Sequence, residues 1–195
     1  MPEPIDHADH PDHSDHPADE FDRRRRRVLW KMPSGLYLVG SSDGSRRNMM
    51  TLNWATQVSL HPKLLAISVQ ADALTHQLIQ AGRVFSLCIL DRSDRSVVRK
   101  FTKPVIVELA SPPELGGTGP QPPYTMAGFA CRDGATGAPV LDQALAYLEC
   151  RVTQEVGAGS HTLFVGEVVV AEFKNAAAEE SEVLRMEDTR MNYGG

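Results

Sequence analysis

Short hydrogen-bonding side chains crowd one apolar stretch of the chain, Asn48-Met-Met-Thr-Leu-Asn-Trp-Ala-Thr-Gln-Val-Ser-Leu-His-Pro62. Thr51, Asn53 and Ser59 take odd positions, Thr56 takes an even one, and Trp54 and Ala55 lie among them. A half-buried strand alternates apolar with solvated residues. Here the polar positions depart from that alternation beside a flat aromatic ring. Strand backbone, small hydroxyl and amide groups and a ring together suit a flat ligand with a polar edge.

Two later segments add chemistry. An apolar strand pattern ends at Gln70, and a helix pattern begins near Ala73-Leu-Thr-His76. A helix start presents unpaired N–H groups and a favourable dipole to an anion. With the Thr75 hydroxyl and the His76 ring as further donors, this is a candidate phosphate site. Asp72 acting as an ordinary N-cap accounts for the same residues, and local sequence alone favours it. His161 opens a late strand after Gly157-Ala-Gly-Ser160. It reads as an exposed turn residue or as a polar contact at the edge of a cofactor or substrate, since imidazole both hydrogen-bonds and titrates near neutrality.

The elements that must position these residues follow from pattern. Leu36–Ser41 reads as a strand, with a hairpin turn at Asp43-Gly44. A second strand is expected from about Met49 to Ser59, ending at His61-Pro62, and a third over Leu64–Gln70. A short helix is expected over Ala73–Ala81 with Gly82 as its C-cap. Val84–Leu90 reads as a buried strand, and Asp91 as the N-cap of a helix through about Phe101. Ser111–Pro123 collects Pro and Gly and reads as a surface loop. Tyr124–Cys131 reads as a short strand before a turn at Gly134–Gly137. Alternation over Ala144–Val156 favours strand, although its Ala and Leu content would suit a helix. His161–Phe173 is the clearest late strand. About seven strands and two short helices, without a βαβ rhythm, predict a mainly β fold: a closed antiparallel barrel with short helices at its rim.

Composition sets the limits. The 195 residues favour one domain, 28–195, after a tail and basic run over 1–27. Met1 to Asp22 is rich in Asp, His and Pro, a composition that predicts disorder. His7, His10, His13 and His16 give it the spacing of a weak metal-binding tail as well as that of a solubilising one. Arg23–Arg27 reads as a solvated lead-in to the first strand. A formal net charge of −5 argues against nucleic acid as partner. No apolar run approaches the ~20 residues of a membrane span. Cys88, Cys131 and Cys150 lack metal-like spacing, and Cys88 and Cys150 sit in apolar runs as buried free thiols do. With no signal-peptide core at the start, the chain reads as cytoplasmic. Gly116-Gly-Thr-Gly119 is followed at once by Pro120 and satisfies neither phosphate-loop nor dinucleotide-fold patterns. No hydrolase elbow and no zinc ligand set is present in the folded part.

Several segments in order and spacing resemble the flavin reductase-like family, whose fold is the FMN-binding split barrel. They are Met50-Thr-Leu-Asn-Trp-Ala-Thr-Gln-Val-Ser59 with Pro62, Leu74-Thr-His-Gln-Leu-Ile79, Val84-Phe-Ser-Leu-Cys-Ile-Leu90, Gly159-Ser-His-Thr-Leu-Phe-Val-Gly-Glu-Val168 and the closing Val183–Gly195. The resemblance implies flavin against the second strand, held by Thr51, Asn53, Trp54, Ala55, Thr56 and Ser59. It places Gln70, Thr75 and His76 near the phosphate and His161 beside the nicotinamide or the flavin edge. Tyr193 would cover the site. It implies FMN, or alternatively FAD, with NADH or NADPH as electron donor, a homodimer that completes the site, and a possible monooxygenase partner. Asn53, where many relatives carry Ser, and the Pro-rich loop after Ala110 are departures. The tail and the Arg run have no place in the family pattern.

The expected activity is NAD(P)H-dependent reduction of flavin. The alternatives are a flavin-binding electron carrier or an oxidoreductase on another substrate, and, in a different class, a barrel-shaped interaction protein with a metal-handling tail.

Overall fold

The structure, a computed structural model, describes residues 17–108 and 123–191. The four tail histidines, most of the expected 111–123 loop and Tyr193 lie outside the described residues. The chain divides into two units, one holding residues 1–33 and 192–195 and the other Ser34–Met191.

Among its described residues the smaller unit holds a helix, α1 (Pro17–Leu29), so residues 17–22 of the segment expected to be disordered are helical, and the Arg run is helical too and does not lead directly into a strand. The cause is local. Asp19 and Glu20 lie in the first turn and Arg26 and Arg27 in the last, each sign at the helix end that favours it. Glu20–Arg24 and Asp22–Arg26 pair one turn apart, both at 3.1 Å.

The larger unit runs β1 (Tyr37–Ser42), β2 (Arg46–Leu52), β3 (Ala55–Ser59), β4 (Leu64–Gln70), α2 (Leu74–Gly82), β5 (Val84–Ile89), α3 (Arg95–Lys100), β6 (Val105–Glu108), β7 (Tyr124–Met126), β8 (Phe129–Asp133), β9 (Pro139–Leu141), β10 (Ala146–Ala158) and β11 (His161–Phe173). Two 3-10 turns follow. Eight strands pair in the order β3-β4-β11-β10-β5-β1-β2-β6, and β7-β8-β9 form a second sheet. All ladders are antiparallel.

The strand expected over 49–59 is two strands. β2 pairs with β1 and β6, β3 pairs with β4, and only Asn53 and Trp54 separate them. Three residue steps span at most about 11 Å. Strands at opposite sides of the larger sheet are therefore joined almost end to end, and the sheet must curl into a closed ring of β1, β2/β3, β4, β11, β10 and β5. This is the expected mainly β split barrel.

Successive residues of one strand serve two cores. Val39, Ile67, Phe85, Leu87 and Phe164 fill the barrel. Leu38, Met49, Cys88, Phe101 and Val140 pack outside its wall, with α3 and the smaller sheet. Strands buried on both faces read as unbroken apolar runs, which is why Val84–Leu90 shows no alternation. Gly82 carries the end of α2 against the wall, where a Cβ would come within 1.8 Å of the Ser42 carbonyl oxygen.

Several local expectations need correction. Gly82 is not the C-cap of α2: it is the last helical residue, and Arg83 takes the left-handed conformation at φ 57°. Asp72 does not cap α2; the N-cap is Ala73, which has no side chain able to do so. Asp91 does not start a helix at 91. It forms a bridge with Val183, its carboxylate accepts from the Ser93 N–H, and α3 begins four residues later behind Asp94. β6 and β9 went unpredicted because four and three residues carry no readable period, and the one short strand expected over Tyr124–Cys131 is the hairpin β7–β8.

Cys88, Cys131 and Cys150 are buried free thiols. Burial pushes them up to about 11, 12 and 12 respectively. Thiolate is the reactive form, so iodoacetamide at pH 8 should leave all three unmodified in the native protein and label all three in guanidinium. Rapid native labelling of any one, read by intact mass, would contradict this burial.

Candidate functional site

The turn from β2 to β3 sets the site. Leu52 points into the barrel, and after the two-residue kink Ala55 packs against the same core. Trp54 is left on the outer face, 38% exposed, with its carbonyl accepting from the Ser68 N–H on β4. Beside it, β4 ends at Gln70, whose register partner on β11 is His161. The Trp54 and His161 rings meet at 4.9 Å between centroids, tilted by 56°. They form a partly exposed ledge, and Ser160 Oγ lies 2.9 Å from His161 Nδ1. Asn53 is 7% exposed, and its carboxamide engages no partner among the described residues.

α2 begins directly after Gln70. Its first-turn N–H groups have no acceptor within the helix by position, and no side chain caps them. The connection is fixed in place: the Ala71 N–H donates to the Ser160 carbonyl at 3.0 Å, and the Ala73 N–H to the Gln70 carbonyl at 3.0 Å. Ledge and helix start are thus tied through the turn between β10 and β11.

Thr75 and His76 are both buried, at 1% and 8% exposure. Asn48 Nδ2 donates to Thr75 Oγ1 at 2.6 Å, and Asn48 Oδ1 accepts from the Val105 N–H. His76 Nε2 lies 2.9 Å from Thr162 Oγ1, and its ring packs 5.1 Å from that of Phe164. Both side chains therefore anchor the first turn of α2 to the barrel, Thr75 to β2 and His76 to β11. At the helix start itself, the backbone N–H groups remain the available donors.

Among the residues expected from sequence, the structure brings Asn53, Trp54, Ala55, Gln70 and His161 together, with the start of α2 alongside. Thr56 is exposed on β3, two residues beyond Trp54. Ser59 ends β3, half-buried and away from the ledge. Thr51 does not join them. It lies between Met50 and Leu52, which face the barrel core, so its side chain faces the other way, and its hydroxyl donates to the Val98 carbonyl at α3. Sequence reasoning missed Ser160 and Thr162. The Gly-rich turn before His161 was the only signal for Ser160, and nothing local marked Thr162.

A cavity of about 490 Å³ opens elsewhere, between the smaller sheet and the far ends of β10 and β11. Its lining includes Arg132, Tyr147, Phe173 and Lys174. Phe173 is the opposite end of β11 from His161, up to about 40 Å along the strand. The cavity is separate from the ledge. Among the described residues, no helix is long and apolar enough to cross a membrane, and no group of three or more His, Cys, Asp or Glu is placed to hold a metal.

Comparison with known proteins places this geometry. The sequence profile of the flavin reductase like domain matches residues 29–194. The NADH-dependent FAD reductase of Streptomyces globisporus is 32% identical over 146 residues, 75% of this chain and 73% of that protein. Several other curated relatives are longer, and the chain spans 22–58% of their length. The solved structure of the NADH:FAD oxidoreductase of the same organism superposes with a TM-score of 0.65 at 28% identity, covering 92% of this chain and 96% of that one. A second structure of that oxidoreductase is a complex with NAD and FAD fragments. The flavin reductase component of a bacterial two-component tryptophan halogenase matches with a TM-score of 0.60 at 27% identity, covering 79% and 88%. The chain belongs to the flavin reductase-like family.

Proposed function

We propose that the protein transfers hydride from NADH or NADPH to a flavin, FMN or FAD, bound at the β2–β3 kink. The observation that carries this reading is the convergence of the Trp54–His161 ledge with the uncapped start of α2. The residues present fit a flavin. Asn53 offers an amide with no partner among the described residues beside the kink, Ala55 leaves the strand surface low, and the first turn of α2 offers N–H donors for a phosphate. A bound flavin supplies the hydride-accepting chemistry itself.

The chain supplies placement. Asn53 and the backbone at the kink would bind the polar edge of the ring system. Trp54 would shield one side of it from water, and His161 would hold the nicotinamide edge by a hydrogen bond. The names of the relatives support both cofactors, since one is an NADH-dependent FAD reductase and another a flavin reductase paired with a halogenase. On that basis we also read the protein as a supplier of reduced flavin to a monooxygenase-type partner, and from its sequence as cytoplasmic.

A second subunit would complete the site. Trp54, Val58, Leu60 and Val156 lie 38–67% exposed on and around the strands that carry the ledge, and an apolar surface of this kind marks an interface. A homodimer is expected by sedimentation, and dilution to monomer should release flavin. A monomer that holds flavin tightly would sink the shared site.

The direct test is to release any bound flavin by heat, identify it, and follow NADH and NADPH oxidation with added FMN or FAD. Oxidation that depends on flavin establishes the reductase. Bound flavin without NAD(P)H oxidation would instead establish the electron-carrier alternative.

A further inference from the structure

We propose that His76 and Thr162 form a positioning pair for His161. The inference rests on the reading of His161 as the nicotinamide contact. Successive residues of a strand point to opposite faces. Thr162 and Phe164 face the barrel, where the buried His76 ring meets both, at 2.9 Å from the Thr162 hydroxyl and 5.1 Å from the Phe164 ring. His161 faces the other way, onto Trp54. A bond that fixes Thr162 therefore fixes the pleat that aims His161 outward.

This end of β11 needs such a fixture. His161 opens the strand, and its pairings with Gln70 and with Ala158 are each the last of their ladders. The pair with Ala158 is closed by the turn, but the pair with Gln70 ends the β4 ladder, where local opening is easiest. The His76–Thr162 bond lies one residue inward and attaches β11 to a helix that cannot shift easily. The adjacent Thr75 ties the same turn to Asn48, and Asn48 to the backbone of β6. From the other side the Ala71–Ser160 backbone bond holds the turn, and Ser160 Oγ meets His161 Nδ1. Among the described residues, His161 is thus held from a buried side through Thr162 and from an exposed side by Ser160. His76 itself acts through Thr162.

The pair can be tested with the intact chain. The sequence contains two tryptophans, so Trp30→Phe leaves Trp54 as the sole reporter of the ledge. In that background, Thr162→Val, His76→Leu, their combination, and His76→Gln are compared with the parent. Four quantities are read: acrylamide quenching of Trp54 emission, flavin affinity, NADH kcat and KM at saturating flavin, and Tm.

Thr162→Val and His76→Leu should each make Trp54 more readily quenched. Each should lower kcat/KM for NADH by roughly 3- to 10-fold with flavin affinity nearly unchanged. The combined variant should add little, because the two residues act as a unit. His76→Gln, which can still reach Thr162, should stay near the parent. Should His76→Leu fail to fold, the near-isosteric Thr162→Val carries the same expectation.

A fall in Tm with quenching and kcat/KM unchanged would show a purely structural bond and overturn the proposal. So would a loss of flavin affinity matching the loss of kcat/KM, which would make the bond a support of the flavin site at the start of α2 and not of His161. If the parent oxidises no NADH or NADPH with any flavin, the reductase reading falls, and the quenching comparison still decides whether the pair holds the ledge.

Discussion

Asp133→Ala should lower stability by about 3–5 kcal/mol, the cost of leaving a buried charge without its partner. For a chain of this size that corresponds to a fall in melting temperature on the order of 10 °C. Arg47 and Asp133 are the most deeply buried ion pair among the described residues, their side chains 3% and 8% exposed. The contact is two-pronged: Arg47 Nε donates to Asp133 Oδ1 at 2.7 Å and Nη2 donates to Oδ2. Tyr124 adds its hydroxyl to Oδ1 at 2.8 Å. Burial works against the Arg47 charge, but the bonded carboxylate more than offsets it and holds that charge above its ordinary range. Burial and the same carboxylate push the Tyr124 phenol up, so it stays a donor. These three residues join β2 of the barrel to β7 and β8 of the smaller sheet. Replacing the pair together, as Arg47→Met with Asp133→Leu, should recover much of the loss, because neither charge is then stranded. Urea unfolding of the three variants checks this. A loss below about 1 kcal/mol for Asp133→Ala would be the value of a surface pair and would contradict the burial.

His161→Ala should reduce NADH turnover far more than flavin affinity. One hydrogen bond to a neutral partner contributes about 0.5–1.5 kcal/mol and one to a charged partner about 1.5–3. The expected loss in kcat/KM is therefore on the order of 3- to 100-fold, short of abolition. Trp54 loses a ring neighbour in the same variant, so its emission should change as well. Stopped-flow flavin reduction that matches the parent from pH 5 to 8 would reduce His161 to a solvated turn residue.

β4 and β11 were legible from the sequence to the residue. Their apolar runs end at features that stop strands: Gln70 before a helix, and the Gly-rich turn before His161. The break at Asn53-Trp54 was not legible. The apolar pattern continues through it, and the chain leaves one ladder for another only because the ring must close, a demand made by strands far along the sequence. The same holds at the site. Thr51, Asn53, Thr56 and Ser59 were read as one group, yet the kink parts them: Asn53 lies beside the ledge, while Thr51 in the same run faces α3. Side-chain direction on either side of a kink cannot be counted from one side. Thr75 and His76 looked like ligands because polar residues at a helix start usually meet solvent; here their partners, Asn48 and Thr162, lie 27 and 86 positions away. The open start of α2 ran against the capping preference that favoured Asp72, since the residue at the cap position is Ala73.

The kink between β2 and β3 also limits how this chain can vary. The two residues that border the ledge are the ones that close the ring, and they have no slack. Adding or removing one residue there would invert the inside-outside register of either β2 or β3 against partners held by the rest of the barrel. If the flavin binds here as proposed, ligand preference at this position is open to substitution and closed to insertion. The turn between β10 and β11, at the end of a hairpin and outside the closure, can change length at much lower cost. On the proposed reading, a library aimed at other flavins should randomise the identity of Asn53 and Trp54 at fixed length and place any length variation at Gly157–Gly159, ahead of the Ser160 carbonyl that holds Ala71.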